Sequence, residues 1–140
     1  IANADIKEKI RLLPNKEYTS YSKEFDENGI EFSGGEAQKM MIAKTLYKKS
    51  PLKIFDEPTA GLDAVAEYKI YENIKQASIN GILVYITHRL STGVNSNNIL
   101  VFSQGRISET GNHKQLMNQK GIYASLFESQ SILYAGGEYK

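Results

Sequence analysis

Three short stretches of the chain carry side chains whose types and spacing suit chemistry on a phosphate. Ser33-Gly34-Gly35 heads a helix pattern. Paired glycines let backbone N–H groups approach a ligand closely, and the start of a helix offers unsatisfied donors and partial positive charge, which together make an anion-binding arrangement. The plainer reading is an N-cap serine followed by flexible glycines. Asp56-Glu57 closes a short apolar stretch, at the sheet edge where ligands of α/β folds collect. Adjacent carboxylates on extended backbone point in different directions and suit different tasks. Asp56 could hold Mg²⁺ through its water shell and Glu57 could orient and deprotonate an attacking water; otherwise Asp56 simply caps the turn made by Pro58. His88 follows a second apolar stretch, where its imidazole could donate to a phosphate oxygen or cap the next helix. His113 lies in a polar turn near a helix start and reads as structural. The acidic cluster Glu24, Asp26, Glu27 and Glu31 lacks the ligand spacing of an EF-hand and reads as a solvated loop with a turn at Asn28-Gly29.

The elements that must position these groups alternate between helix and strand. Residues 4 to 13 predict a short helix with Ile6, Ile10 and Leu13 on one face, ended by Pro14-Asn15. A polar connection follows to residue 31. From Gly35 to about Lys49 the apolar residues Ala37, Met40, Met41, Ile42, Ala43, Leu46 and Tyr47 cover a broad face, which predicts a largely buried helix stopped by Ser50-Pro51. Leu52 to Phe55 reads as a short strand. Ala66, Ile70, Ile74 and Ala77 mark a second helix closing near Asn80-Gly81. Ile82 to Thr87 is apolar without alternation, the habit of an interior parallel strand covered on both faces. Ile99 to Phe102, the turn Gln104-Gly105 and Arg106 to Glu109 read as a hairpin, followed by short helices at Lys114 to Asn118 and Ile122 to Glu128, and a frayed end from Ala135-Gly136-Gly137. Strand, helix, strand gives an α/β core.

Composition narrows the function further. The chain has 140 residues with 17 basic and 16 acidic side chains, a formal net charge of +1. Without a basic stripe there is no electrostatic case for nucleic acid as a partner. The absence of cysteine removes disulfides and thiolate metal sites. No apolar run approaches the roughly 20 residues that span a bilayer, and no secretory leader opens the chain, so the expectation is a soluble piece. A start at Ile1 without an initiator Met suits an excised or processed segment.

Taken in order, Phe32-Ser33-Gly34-Gly35-Glu36-Ala37-Gln38-Lys39, then Ile54-Phe55-Asp56-Glu57-Pro58-Thr59-Ala60-Gly61-Leu62-Asp63, then Ile86-Thr87-His88-Arg89-Leu90 closely resemble the second half of the ATP-binding cassette (ABC) ATPase domain. The resemblance covers roughly residues 4 to 128, and the tail from Gly105 to Gln130 looks like the end of an exporter-type cassette. It implies the C-terminal part of an ABC-type P-loop NTPase: a helical subdomain with the signature helix over residues 1–50, a partial, mostly parallel sheet with flanking helices over 51–130, and a tail over 131–140. It also implies ATP and Mg²⁺. Ser33, Gly34 and Gly35, with Gln38 in the same signature stretch, would contact ATP on an opposing ATPase domain. Asp56 would support Mg²⁺, Glu57 would act on the hydrolytic water, Asp63 would communicate across the dimer and His88 would touch the γ-phosphate. The implied partners are a second ATPase domain and a transmembrane permease domain fused upstream, at the cytoplasmic face of the membrane.

Three departures from the family pattern are visible. No G-x-x-x-x-G-K-[ST] loop occurs; Lys44-Thr45 is the nearest dipeptide, with Ala43 in place of the glycine and a predicted helix around it. Glu36 stands where the signature usually has glutamine, an electrostatic cost near a triphosphate unless the carboxylate faces away or pairs with a cation. Lys53 interrupts the first strand and would leave its head in solvent. On this sequence the chain alone should bind nucleotide feebly. Two other readings remain: the later segment of a split-cassette chromosome-maintenance ATPase, and a non-catalytic module that keeps the cassette shape for docking.

Overall fold

The computed structural model describes residues 4–24 and 26–135, which fall into two compact units divided between Ile86 and Thr87. The first unit contains α1 (Lys7–Arg11), a single 3-10 turn at Lys16–Tyr18, α2 (Gly34–Tyr47), β1 (Leu52–Asp56), α3 (Ala64–Ala77) and β2 (Ile82–Ile86). β1 and β2 pair in parallel, with Leu52 opposite Ile82 and Asp56 opposite Ile86. A parallel pair requires a crossover of a dozen or more residues, and α3 is that crossover. Its start is tight. A Cβ added at Gly81 would lie 2.6 Å from the Pro51 carbonyl oxygen, so only glycine lets β2 begin beside β1, where Ile82 N–H donates to Pro51 O over 2.7 Å.

The core of this unit gathers Ile6 and Ile10 from the first segment, Ile42 and Ala43 from α2, Phe55 from β1, and Ile70 and Ile74 from α3. Ile70 and Ile74 are both 0% exposed, as their four-residue spacing on one helix face requires. Leu13 packs against this cluster beyond the end of α1, which is shorter than its apolar pattern suggests. The expected turn at Asn28-Gly29 is present, closed by Gly29 N–H donating to Asp26 O and Asn28 N–H donating to Asp26 Oδ1.

Two burial expectations are corrected. The helix α2 is not largely buried: only Ile42 and Ala43 are, while Met41 is 61% and Tyr47 90% exposed. Nor is β2 covered on both faces. Leu83 and Tyr85 pack inward, whereas Ile82, Val84 and Ile86 alternate outward beside Leu52 and Ile54 and stay exposed. An unbroken apolar run records that a strand avoids water on both sides in some assembly; it does not supply the cover. Lys53, on the packed side of β1, sends its ammonium not into solvent but to the Ser50 carbonyl, 3.0 Å away.

The second unit contains α4 (Leu90–Gly93), β3 (Ile99–Ser103), β4 (Arg106–Gly111), α5 (His113–Gln119) and α6 (Ile122–Ala135). The strands β3 and β4 are antiparallel and joined by Gln104-Gly105, both at positive φ, 49° and 73°. That is the two-residue turn whose twist suits a hairpin. Leu116 and Tyr123 are buried with Val101 at the centre of the unit. The carboxylate of Glu109 on β4 accepts from the backbone N–H groups of Ile122 and Tyr123, placing negative charge at the start of α6. This helix runs past the expected end at Glu128, and α4 is the helix that the cap reading of His88 presupposed without bounds. Of the expected frayed end, Ala135 closes α6 and residues 136–140 lie outside the described residues.

Two substitutions separate the packed side of the parallel pair from its open side. Ile74→Ala should cost about 2–5 kcal/mol in denaturant unfolding, by lost burial and a residual cavity. Ile54→Thr, on the open face, should change stability by no more than about 0.5 kcal/mol.

Candidate functional site

Ser33 is the N-cap of α2. Its side chain accepts from Glu36 N–H over 3.3 Å while the Glu36 carboxylate accepts from Ser33 N–H over 2.9 Å, a reciprocal capping box. The same carboxylate pairs with Lys9 Nζ at 2.9 Å. The Lys9 ammonium, followed by the Ser33 backbone donor, holds Glu36 below the ordinary glutamate range. Glu36 therefore pairs with a cation, the condition under which a carboxylate is tolerable at this position. Nothing lies within 4 Å of a Cβ added at Gly34 or Gly35, and neither has positive φ. Local packing and backbone geometry thus leave both glycines unexplained, and what they leave is bare backbone at the head of a 14-residue helix, unobstructed to an approaching anion.

Asp5 fastens α2 to α3. One carboxylate oxygen meets Lys39 Nζ at 3.2 Å and the other meets Lys69 Nζ at 3.3 Å. The hydrogen bond from Lys39 is the leading cause that lowers the Asp5 pKa from its ordinary 3.8, ahead of the contribution of Lys69.

At the far end of β1, Asp56 is exposed and Glu57 turns the chain at φ 42°. An L-residue adopts this left-handed conformation only when its surroundings impose it. Three hydrogen bonds do so here. Glu57 N–H donates to Ile86 O over 3.0 Å, extending the parallel ladder by one rung, and Glu57 O accepts from Ala60 N–H at 3.1 Å. Glu57 O also accepts from the side-chain amide of Gln38 on α2, at 3.3 Å. Gln38 thus reaches the acidic turn through its backbone. Beyond the turn, Thr59 is buried with its hydroxyl 3.2 Å from Tyr85 Oη. Asp63 caps α3, one oxygen accepting from Val65 and Ala66 N–H at 3.0 Å each.

Among the described residues no group of three or more His, Cys, Asp or Glu is arranged to hold a metal ion. An exposed strand-end carboxylate such as Asp56 fits the other habit, that of Mg²⁺, which keeps several waters and takes one or two carboxylates plus substrate phosphates.

In the second unit, His88 is exposed on the segment leading into α4. It does not cap that helix; Arg89 holds the N-cap position and makes no side-chain cap bond. The segment is fixed instead by its backbone. Arg89 N–H donates to Thr87 Oγ1 at 2.9 Å, His88 O accepts from Gln130 Nε2 at 2.6 Å, and Leu90 N–H donates to Gln130 Oε1 at 3.0 Å. His113 is structural as expected: it begins α5, its Nδ1 lies 2.9 Å from Tyr123 Oη, and its ring packs on Phe127. The sequence reading missed Lys9 and Gln130. The capping-box spacing of Ser33 and Glu36 was the signal for Glu36's role, whereas nothing local announces a contact 42 residues away.

Comparison with known proteins decides the family. The family model described as "ABC transporter" matches residues 2–60. The mitochondrial iron-sulfur clusters transporter ABCB7 of Danio rerio is 37% identical over 129 residues, covering 91% of this chain and 17% of that protein. The chain belongs to the ABC transporter family. Among other relatives, the ATP-dependent lipid A-core flippase of Saccharophagus degradans is 40% identical over 121 residues, 86% of this chain and 20% of the flippase. The structure of a bacterial Atm1-family ABC exporter with ATP bound matches at a TM-score of 0.79 and 37% identity, over 93% of this chain and 22% of that one. The chain spans about a fifth of the length of these ABC relatives. Among the described residues no helix is long and apolar enough to cross a membrane. Lys44-Thr45 lies well inside α2, with the Thr45 hydroxyl donating to Met41 O, so this dipeptide forms no phosphate-binding loop.

Ser33→Ala should lower stability by about 1 kcal/mol in thermal unfolding, through loss of the cap. The Asp5 contribution has a defined sign. Because its folded pKa is lowered, the stabilisation is complete above the unfolded value near 3.8 and is lost as pH falls through the folded value. Asp5→Asn should therefore flatten the acid limb of stability against pH below about 4, with little change at pH 7 beyond the loss of the two ion pairs.

Proposed function

We propose that this chain supplies the later part of an ATPase domain that drives an exporter, with the ATP-hydrolysing parent working at the cytoplasmic face of a membrane. The observation that carries this reading is the likeness, over 93% of the chain, to an exporter structure with ATP bound, together with the ordered motifs at residues 32–39, 54–63 and 86–90. In this reading the segment through residue 50 is the helical subdomain and residues 51–130 are the later part of the ATPase core. Ser33, Gly34 and Gly35 present backbone and hydroxyl donors to the γ-phosphate of ATP held by a second ATPase domain. Gln38 belongs to the same surface and steadies Glu57 through its carbonyl. Glu57 orients the attacking water and accepts its proton. His88 donates to the terminal phosphate on its own side, and Asp63, at the head of α3, faces the dimer partner. Mg²⁺, held through Asp56, neutralises charge on the phosphate oxygens when bound.

The permease would be fused to this domain in the same polypeptide. The named relatives carry chemically unlike cargoes, an iron-sulfur cluster and a lipid, so the segment they share with this chain handles energy and not cargo selection.

The test has two arms. Titrated with Mg-ATP, the 140-residue chain alone should show a dissociation constant weaker than about 1 mM, since it lacks the lysine-bearing phosphate loop; stoichiometric micromolar binding would show that the assignment of roles is wrong. In the full-length exporter, Glu57→Gln should reduce ATP turnover about 10²–10⁴-fold while ATP still binds. Undiminished turnover would remove Glu57 from the chemistry.

A further inference from the structure

The segment that carries His88 is held by a residue with no place in the reading above. Leu90 opens α4, and the first N–H groups of any helix lack partners within it. Arg89 offers no side-chain cap. The requirement is met from α6: Gln130 Oε1 accepts from Leu90 N–H at 3.0 Å, while its Nε2 donates to His88 O at 2.6 Å. One amide thus brackets Arg89, satisfying the carbonyl before it and the N–H after it. Only a side chain with donor and acceptor on one fork can do both; glutamate accepts only, and lysine donates only. The helix bearing Gln130 is itself anchored, by Tyr123, buried at 1% exposure, with Phe127 packed beside it, and by the Glu109 carboxylate at its first turn.

We propose that Gln130 is the positioning residue for His88: by clamping the peptide groups on either side of Arg89, it fixes where the His88 imidazole stands. The catalytic half of this inference rests on the reading of His88 as the γ-phosphate contact; the positional half does not. The clamp predicts that a change at α6 alters hydrolysis without altering nucleotide affinity, because His88 acts on the terminal phosphate and not on the adenosine end of the nucleotide.

Amide hydrogen exchange on the 140-residue chain tests the clamp directly. Gln130→Met, similar in length and without either polar partner, should speed exchange at Leu90 about tenfold, with Val101 and Leu116 in the core unchanged. Gln130→Glu, which would set a carboxylate oxygen against the His88 carbonyl oxygen, should also speed exchange at Leu90. The His88 imidazole resonances should move in Gln130→Met while those of His113 stay. Unaltered exchange at Leu90, or equal acceleration at Val101 and Leu116, would overturn the positional claim. In the full-length exporter, Gln130→Met should lower kcat for ATP about tenfold with KM within about twofold. An unchanged kcat, in a protein whose turnover does fall on Glu57→Gln, would overturn the catalytic claim. If Glu57→Gln itself has no effect, the ATPase reading fails while the exchange data still decide the clamp.

Discussion

The geometry of the acidic turn depends on one rung of hydrogen bonding. The parallel register places Asp56 beside Ile86, and the ladder then runs one residue further, with Glu57 N–H on Ile86 O. That bond holds Glu57 in the sheet's frame while its φ of 42° sends the chain abruptly away. Left-handed backbone at a non-glycine residue is unfavourable, and the two bonds on the Glu57 carbonyl, from Ala60 and from Gln38, join the Ile86 rung in sustaining it. The result is that two consecutive carboxylates leave the strand end on differently directed backbone, which separates their environments.

The acidic residues divide by use. Glu36, Asp63 and Glu109 are engaged at the starts of α2, α3 and α6, where they satisfy backbone donors and complement the helix dipoles. Asp5 ties two helices together through lysines. Asp56 is outside this set, exposed at the end of β1. Folding can account for the first four from local hydrogen bonds and ion pairs.

Periodicity made much of this fold legible. Ile70 and Ile74 declared the buried face of α3, and Gln104-Gly105 declared the hairpin, because each signal is local and the physics that produces it acts over a few residues. Burial was less legible. The apolar residues of α2 and the unbroken run of β2 predicted cover that Met41, Tyr47, Ile82 and Val84 lack. Hydrophobicity states a preference for burial, and whether it is met depends on what else packs there. The motif residues were found from order and spacing, but their contacts were not. That Gln38 bonds a carbonyl at Glu57, or that Gln130 reaches the peptides flanking Arg89, follows from tertiary proximity between segments 19 and 40 or more residues apart.

The glutamate of the signature stretch shows how a departure from the usual residue can leave function compatible. A lone carboxylate at the third position of α2 would repel a polyanion approaching the same helix start, with an energy that falls only as the inverse of distance. Glu36 is not alone: Lys9 stands 2.9 Å from one oxygen and Ser33 N–H donates to the other. An anion approaching this helix start would therefore meet a compact ion pair, whose field falls off faster with distance than that of a single charge. Fastening the carboxylate to the Ser33 backbone also fixes the cap that aligns the open backbone at Gly34 and Gly35. The pairing draws the Glu36 pKa down, so the carboxylate keeps its charge, and Lys9 its partner, to lower pH than an isolated glutamate would. Glutamine would supply the same reciprocal cap with no charge to offset. Glutamate is tolerated because α1 brings the offsetting charge to it.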